Sequence, residues 1–292
     1  MTRPVPEGEA QMMIKVNGAE LCAETFGERT DPAILLISGM GGSMDWWDGQ
    51  FCERLAEAGR FVIRYDHRDT GQSTSYAAGK PGYTGMDLCH DAVAVLDGLG
   101  IQAAHVAGVS MGGGVAQEMA ALYPERVAGL TLMSTTAITP SEVELPRPAA
   151  RVARFSPEVD WDDRDAVVDY FVETEKVYGG SIPVDEERIR AIAGRVFDRT
   201  TDMKASQTNH SILSDGGEPV SRDALAHIKV PVLVIHGTED PLFPLPHGQA
   251  LAAAIPGARL VVVEGLGHQV PPPEVWPVVV PELVAISGQP AP

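Results

Sequence analysis

Apolar and polar residues alternate through residues 12–18 (MMIKVNG) and again through 19–27 (AELCAETFG), and the two stretches meet at Asn17-Gly18. A period of two marks a half-buried strand. Asn-Gly suits the tight turn between two strands, because both central residues there take positive φ. The opening of the chain is therefore predicted to be a β-hairpin. The run AILLIS (33–38) is different: it is apolar without a break and bounded by proline and glycine. Such a run predicts a strand covered on both faces. From there the period switches back and forth. Helical spacing is read over 48–59, a strand over 60–66, a helix over 87–99, a strand over 103–109, a helix over 111–123 and a strand over 127–134.

The rhythm then stops. Residues 138–225 hold proline-rich joints and acidic helical stretches such as DRDAVVDYFVETEKVYG, with no good buried strand. It resumes with VPVLVIHG (230–237), a helix near 246–254, ARLVVVEG (258–265) and a last helix near 274–287. Strands alternating with helices imply a mostly parallel sheet covered on both faces. The expected architecture is α/β, with eight strands flanked by helices and a helical cap inserted after the sixth strand. The core is assigned to residues 1–137 and 226–292, and the cap to 138–225. No internal repeat or low-complexity tract interrupts this pattern.

Composition narrows the setting. The chain has 292 residues, 44% of them hydrophobic, which is enough for a sizeable core. Its formal charge of -18 would be repelled by nucleic acid and by anionic membrane surfaces, so neither is expected as a partner. Cys22, Cys52 and Cys89 lie far apart and form no C-x-x-C. A zinc cluster, a redox pair or a disulfide framework is thus not expected, and a reducing cytoplasm fits best. The amino-terminal stretch MTRPVPEGEAQMM shows no apolar leader segment, and no apolar run is long enough for a membrane span. A monomer or a homodimer is expected.

The candidate chemistry centres on HVAGVSMGGGVAQEMA, residues 105–120. Within it, Gly108-Val109-Ser110-Met111-Gly112 has the form G-x-S-x-G, following a buried strand and opening a helix. In that setting the serine sits on a strained, sharp turn with its hydroxyl standing clear. Its neighbours two residues away on either side must be small, because strand and helix nearly collide there. The helix N-terminus adds backbone N–H groups and the positive end of a dipole near that oxygen. The plain alternative is a glycine-rich turn whose serine merely caps the helix.

A nucleophilic serine needs a base, and the base needs an orienting carboxylate. His268 lies in EGLGHQV, just past the last strand and behind Gly265 and Gly267, at the carboxyl edge of the sheet. Seven other histidines fit less well. His67, after a strand end, is the closest rival; His105 starts a strand at the opposite edge; His236 lies within a strand. His90 and His227 fall on or near helices, His247 just beyond the next loop, and His210 in the cap, where it could line a pocket. Asp240, in VIHGTEDPLFP directly after the seventh strand, supplies the carboxylate. The loop after the sixth strand (STTAITP) has none. Two oxyanion donors are expected: the N–H of Met111, next to the serine, and the N–H of Met40 in the glycine-rich loop SGMGGSMDWW. Gly39, Trp46 and Trp47 are candidate substrate contacts. For the two tryptophans a place in the core under the cap serves equally well.

Four segments, SGMGG, GVSMG, HGTEDP and GLGH, together resemble the α/β-hydrolase superfamily over nearly the whole chain outside the cap. Most relatives carry His-Gly before the oxyanion donor, where this chain has Ser38-Gly39. The stretch FVIRYDHRDTGQST (61–74), with MGG and WW, resembles more narrowly actinobacterial carboxylesterases of the aclacinomycin methylesterase type. There the Arg68-Asp69 pair would brace the loop beside the pocket. The resemblance implies cleavage of a carboxylic ester through an acyl-enzyme, with no cofactor and no metal, on a small-molecule ester or lactone. A natural-product methyl ester is one such substrate. The same triad could also serve a lactone or macrolide esterase, a cofactor-free haloperoxidase or a carbon–carbon hydrolase, and the fold could be a catalytically silent ligand binder.

Overall fold

Each strand of the sheet sends alternate side chains to opposite faces, and the core divides accordingly. The computed structural model describes residues 11–141, 143–216 and 220–288. Most of the amino-terminal stretch read for a leader, residues 1–10, lies outside the described residues.

The hairpin forms as β1 (Met12–Val16) and β2 (Ala19–Phe26), with Gly18 at φ +72° in its turn. The remaining strands are β3 (Ala33–Ile37), β4 (Phe61–Tyr65), β5 (Ala104–Val109), β6 (Val127–Met133), β7 (Val232–Gly237) and β8 (Arg259–Val263). They make one eight-stranded sheet in the order β1-β2-β4-β3-β5-β6-β7-β8. All pairings from β4 to β8 are parallel, and only the two made by β2 are antiparallel.

On β3, Leu35 and Ile37 face a core shared with α2 (Gly85–Gly98), α3 (Met111–Leu122) and α8 (Pro246–Ala254). Ile34 and Leu36 face the other core, closed by α1 (Gly49–Glu57) and α9 (Trp276–Ser287). Two-sided burial is why these strands read as apolar runs rather than as alternation. Helix α2 starts two residues earlier than its apolar spacing suggests. Thr84 and Asp87 form a reciprocal cap, which sets the first turn by polar bonds.

Between β6 and β7 the described residues contain helices and no strand: α4 (Ala150–Ala153), α5 (Arg164–Tyr178), α6 (Glu186–Arg199) and α7 (Met203–Thr208). Helices α5 and α6 bury Val167, Phe171, Ile192 and Val196 against each other in a separate apolar cluster. Among the described residues no helix is long and apolar enough to cross a membrane.

Candidate active site

The parallel strands end at one edge of the sheet, and the loops that leave them there bring the polar residues together. Ser110 follows β5 directly. Its φ is +53° and its ψ -119°, a conformation that L-residues adopt only under constraint. Its N–H donates to the Met133 carbonyl at 3.0 Å, and its carbonyl accepts from Thr135 Oγ1 at 2.9 Å. The space around the turn is minimal: a Cβ on Gly108 would stand 2.1 Å from the Gly112 carbonyl oxygen, and one on Gly112 would stand 2.4 Å from that of Ile37. Glycine at these two positions is a requirement of the close strand-to-helix approach.

The loop after β8 carries His268 to this serine. Nε2 lies 2.9 Å from Ser110 Oγ, and Nδ1 lies 2.9 Å from Oδ2 of Asp240, in the loop after β7. An ionised carboxylate can only accept, so Nδ1 carries the proton and Nε2 accepts from the serine hydroxyl. The other oxygen of Asp240 accepts the N–H groups of Leu242 and Phe243 at 2.9 and 2.8 Å. The His268 N–H donates to the Tyr178 carbonyl at the end of α5, 2.8 Å away, so that helix helps to seat the histidine. Phe243 meets the imidazole edge-on, with ring centroids 5.5 Å apart.

The other histidines are engaged elsewhere. His67 is fully buried, donates from Nε2 to the Ser38 carbonyl at 3.1 Å, and is pushed down to about 3 by burial. His236 lies within β7, bonded to the Phe243 carbonyl, with Nε2 3.6 Å from Asp240. His105 meets Thr131, His247 links Thr136 to the Pro146 carbonyl, and the exposed His227 meets the Asp223 carbonyl. His90 packs edge-on to Tyr123. His210 has both ring nitrogens hydrogen-bonded, to the Gly41 N–H and to the Arg68 carbonyl.

Beyond β3, the loop passes so close to the serine that a Cβ on Gly39 would lie 3.5 Å from Ser110 Cβ. Met40 follows it, and Met111 is the first residue of α3, whose N–H has no carbonyl within its own helix to meet. Ser38 donates to the Ser43 carbonyl at 3.1 Å and braces the loop from inside.

The two tryptophans separate. Trp46 packs edge-on to Phe171 of α5 at 5.2 Å and lines a cleft with Glu175, Ile182, Arg188, Gln269 and Val270. Trp47 is fully buried and stacks on Phe51 of α1, in the core on the α1/α9 side of the sheet. As a substrate contact it is therefore corrected. Residues 44–46 form a single 3-10 turn, after which the chain is extended at Trp47. Two successive side chains there point into different cores.

Arg68 and Asp69 brace the neighbouring loop. Arg68 forms a two-pronged pair with Asp91, both bonds 2.7 Å, and Asp69 accepts from Tyr83, Asn209 and the Tyr76 N–H. Sequence reasoning missed Arg199 of α6. It reaches into the core to Asp66 at 2.7 Å and to Asp45. Its only signal was a basic residue ending a cap helix, with nothing to indicate partners more than a hundred residues away.

Known proteins resemble this chain at this level. The family described as alpha/beta hydrolase fold matches residues 32–167, and one described as TAP-like protein matches 205–274. Rhodomycin D methylesterase DauP of Streptomyces sp. (strain C5) is 35% identical over 277 residues, 89% of this chain and 92% of that protein. Rhodomycin D methylesterase DnrP of Streptomyces peucetius is 35% identical over 279 residues, with the same coverage. Among solved structures, the enol-lactonase from Burkholderia xenovorans LB400 superposes with a TM-score of 0.72 at 26% identity. That match covers 95% of this chain and 100% of the other.

Proposed function

Since the chain belongs to the alpha/beta hydrolase family, we propose that it is a serine carboxylesterase whose nucleophile is Ser110. The observation that carries this reading is the position of His268, 2.9 Å from both Ser110 Oγ and Asp240 Oδ2.

His268 Nε2 takes the hydroxyl proton as Oγ attacks the ester carbonyl carbon. The carbonyl oxygen becomes an oxyanion, held by the N–H groups of Met40 and Met111 and by the positive end of α3. Asp240 holds the imidazole in the tautomer that can accept, and stabilises the imidazolium once it forms. The imidazolium then returns its proton to the departing alcohol, leaving an acyl group on Ser110. Water enters and attacks the acyl carbon as His268 takes its proton; the second oxyanion collapses, the bond to Ser110 Oγ breaks, the imidazolium returns the proton to Oγ, and the acid is released.

The preferred substrate is a carboxylic methyl ester of a natural product, the class that the names of the two streptomycete relatives indicate. Gly39 and Trp46 are its proposed contacts: Gly39 runs beside Ser110, and Trp46 stands between the oxyanion loop and α5. Residues 138–225 act as the cap over the site. A cytoplasmic location is supported by three free, buried cysteines, which suit a reducing compartment.

The test is intact-mass spectrometry after treatment with a fluorophosphonate, with hydrolysis of short p-nitrophenyl esters followed in parallel. One adduct on Ser110 with ester turnover is expected, and Ser110→Ala loses both. A folded protein with neither adduct nor turnover would overturn the reading in favour of a ligand-binding fold. Turnover of lactones with no release of methanol from methyl esters would move the substrate class alone.

A further inference from the structure

The turn that mounts the Met40 amide is gripped from outside the core. Gly42 N–H donates to the Gly39 carbonyl at 3.1 Å, and Gly41 sits at φ +67°. A four-residue turn with positive φ at its third residue is the form that requires glycine there. Its central peptide is turned over relative to the commoner form. The turn is held by what meets the Gly41 N–H and the Gly41 carbonyl.

Three residues of the cap meet them. The Gly41 N–H donates to Nδ1 of His210 at 2.9 Å. The Gly41 carbonyl accepts from Ser206 Oγ at 3.2 Å and from Gln207 Nε2 at 3.1 Å. Ser206 and Gln207 lie on α7, and His210 lies in the 3-10 turn that follows it. His210 Nε2 donates to the Arg68 carbonyl at 2.9 Å, so its single proton is on that nitrogen and Nδ1 is free to accept. Burial favours this neutral form. Tyr83 and His67 meet the ring edge-on and fix its plane.

We propose that His210 is a positioning residue for the oxyanion hole: by accepting the Gly41 N–H it holds in place, beside Ser110, the turn that carries the Met40 N–H. The inference rests on the reading of Ser110 as nucleophile and Met40 as oxyanion donor. No proton is transferred at His210. Without its acceptor the Gly41 N–H is buried and unpaired, the turn is no longer fixed at that glycine, and the Met40 donor carried on it is no longer held in position. Docking of the cap and completion of the oxyanion hole are then one event.

The experiment compares His210→Phe, which keeps a ring but has no acceptor, with His210→Asn, whose amide oxygen can stand where Nδ1 stood. On p-nitrophenyl butyrate, His210→Phe is expected to lower kcat roughly 10- to 100-fold, with KM changed less than about twofold. Affinity for an alkylboronic acid, whose tetrahedral adduct charges the oxyanion hole, should fall in step with kcat/KM. Inhibition by butyrate should not. His210→Asn should recover most of the loss. Should His210→Phe fail to fold, the double variant Ser206→Ala/Gln207→Leu releases the same glycine from its carbonyl side, and the same split is expected. Unchanged kcat and boronate affinity in a folded variant, or an Asn variant no better than Phe, would overturn the proposal. A wild-type protein that turns over no ester would instead overturn the reading beneath it.

Discussion

Asp240 presents one carboxylate oxygen to His268 Nδ1 at 2.9 Å while the other is committed to two backbone N–H groups, those of Leu242 and Phe243. This division makes the effect of Asp240→Asn specific. The backbone donors require an oxygen, so the new amide must turn its nitrogen toward His268. Nδ1 would then have to accept, the ring proton would move to Nε2, and the base could no longer take the Ser110 proton. We expect kcat to fall on the order of 10⁴-fold with the fold intact. Loss of less than tenfold in a variant with an unchanged circular dichroism spectrum would mean that Asp240 does not orient the base.

Crowding at the elbow gives a contrast between two glycines two residues apart. A Cβ on Gly112 would press against backbone oxygens of Ile37 and Ser38 at 2.4 and 2.5 Å, and backbone cannot step aside. Gly112→Ala should cost at least about 3 kcal/mol or prevent folding. The nearest atom to a Cβ on Gly114 is Ile138 Cγ2 at 3.8 Å, ordinary contact within a helix. Gly114→Ala should therefore stabilise by about 0.5–1 kcal/mol, because alanine loses less backbone freedom on folding. Urea unfolding of both variants measures the difference, and equal midpoints would refute it.

The contrast also marks how far a sequence can be read. Asn17-Gly18, the apolar run 33–38 and G-x-S-x-G are local statements, and local chemistry decides each: turn geometry, two-sided burial, close approach. The order Ser110, Asp240, His268 was legible because each residue follows a strand, and strand ends of a parallel sheet share an edge. Trp46 and Trp47 could not be told apart. One extended residue after a 3-10 turn decides which core each enters, and nothing in WW encodes that. The grip of α7 and the turn after it on Gly41 was equally invisible. His210 and Gly41 are 169 residues apart, and they meet only because α7 packs where it does.

Arg199 ties α6 to the core through two buried carboxylates, Asp66 and Asp45. Asp66 is fully buried, accepts the Met44 N–H at 2.9 Å and the Gln72 N–H at 3.0 Å, and meets Arg199 at 2.7 Å. Burial pushes the Asp66 carboxyl up, and the guanidinium pulls it back toward the charged form. Replacing Arg199 with Met strands that charge, at an expected cost of about 3–5 kcal/mol. Adding Asp66→Asn removes the stranded charge and should return part of the loss. The Arg164–Asp198 pair between α5 and α6 is about half exposed on both sides, so Arg164→Ala should leave the unfolding midpoint where it was. Chemical denaturation of the four proteins tests this, and similar losses for Arg199→Met and Arg164→Ala would refute it.

His105 offers a clean test of how acid acts on the fold, because it lies at the start of β5, at the opposite end of that strand from Ser110. Its ring is buried against Thr131, with Nε2 2.7 Å from the hydroxyl oxygen. Burial pushes its pKa from 6.5 down to about 3. In the unfolded chain the same ring is hydrated and takes up a proton below its ordinary value. Between pH 6.5 and 3 the unfolded state thus holds a proton that the folded state lacks, and acid favours unfolding. The stability tied to a neutral His105 is complete above pH 6.5 and drains away as the pH falls. From pH 7.5 to pH 5 the loss from this one ring integrates to about 2 kcal/mol. His105→Gln keeps a side-chain donor for Thr131 and does not titrate. Its unfolding free energy should therefore fall by about 2 kcal/mol less than the wild type's over that interval, while kcat keeps its pH profile. Other buried groups with shifted values, His67 and Glu118 among them, are common to both proteins and cancel in the difference. Stability curves that run parallel from pH 7.5 to pH 5 would show that His105 is not held neutral by burial.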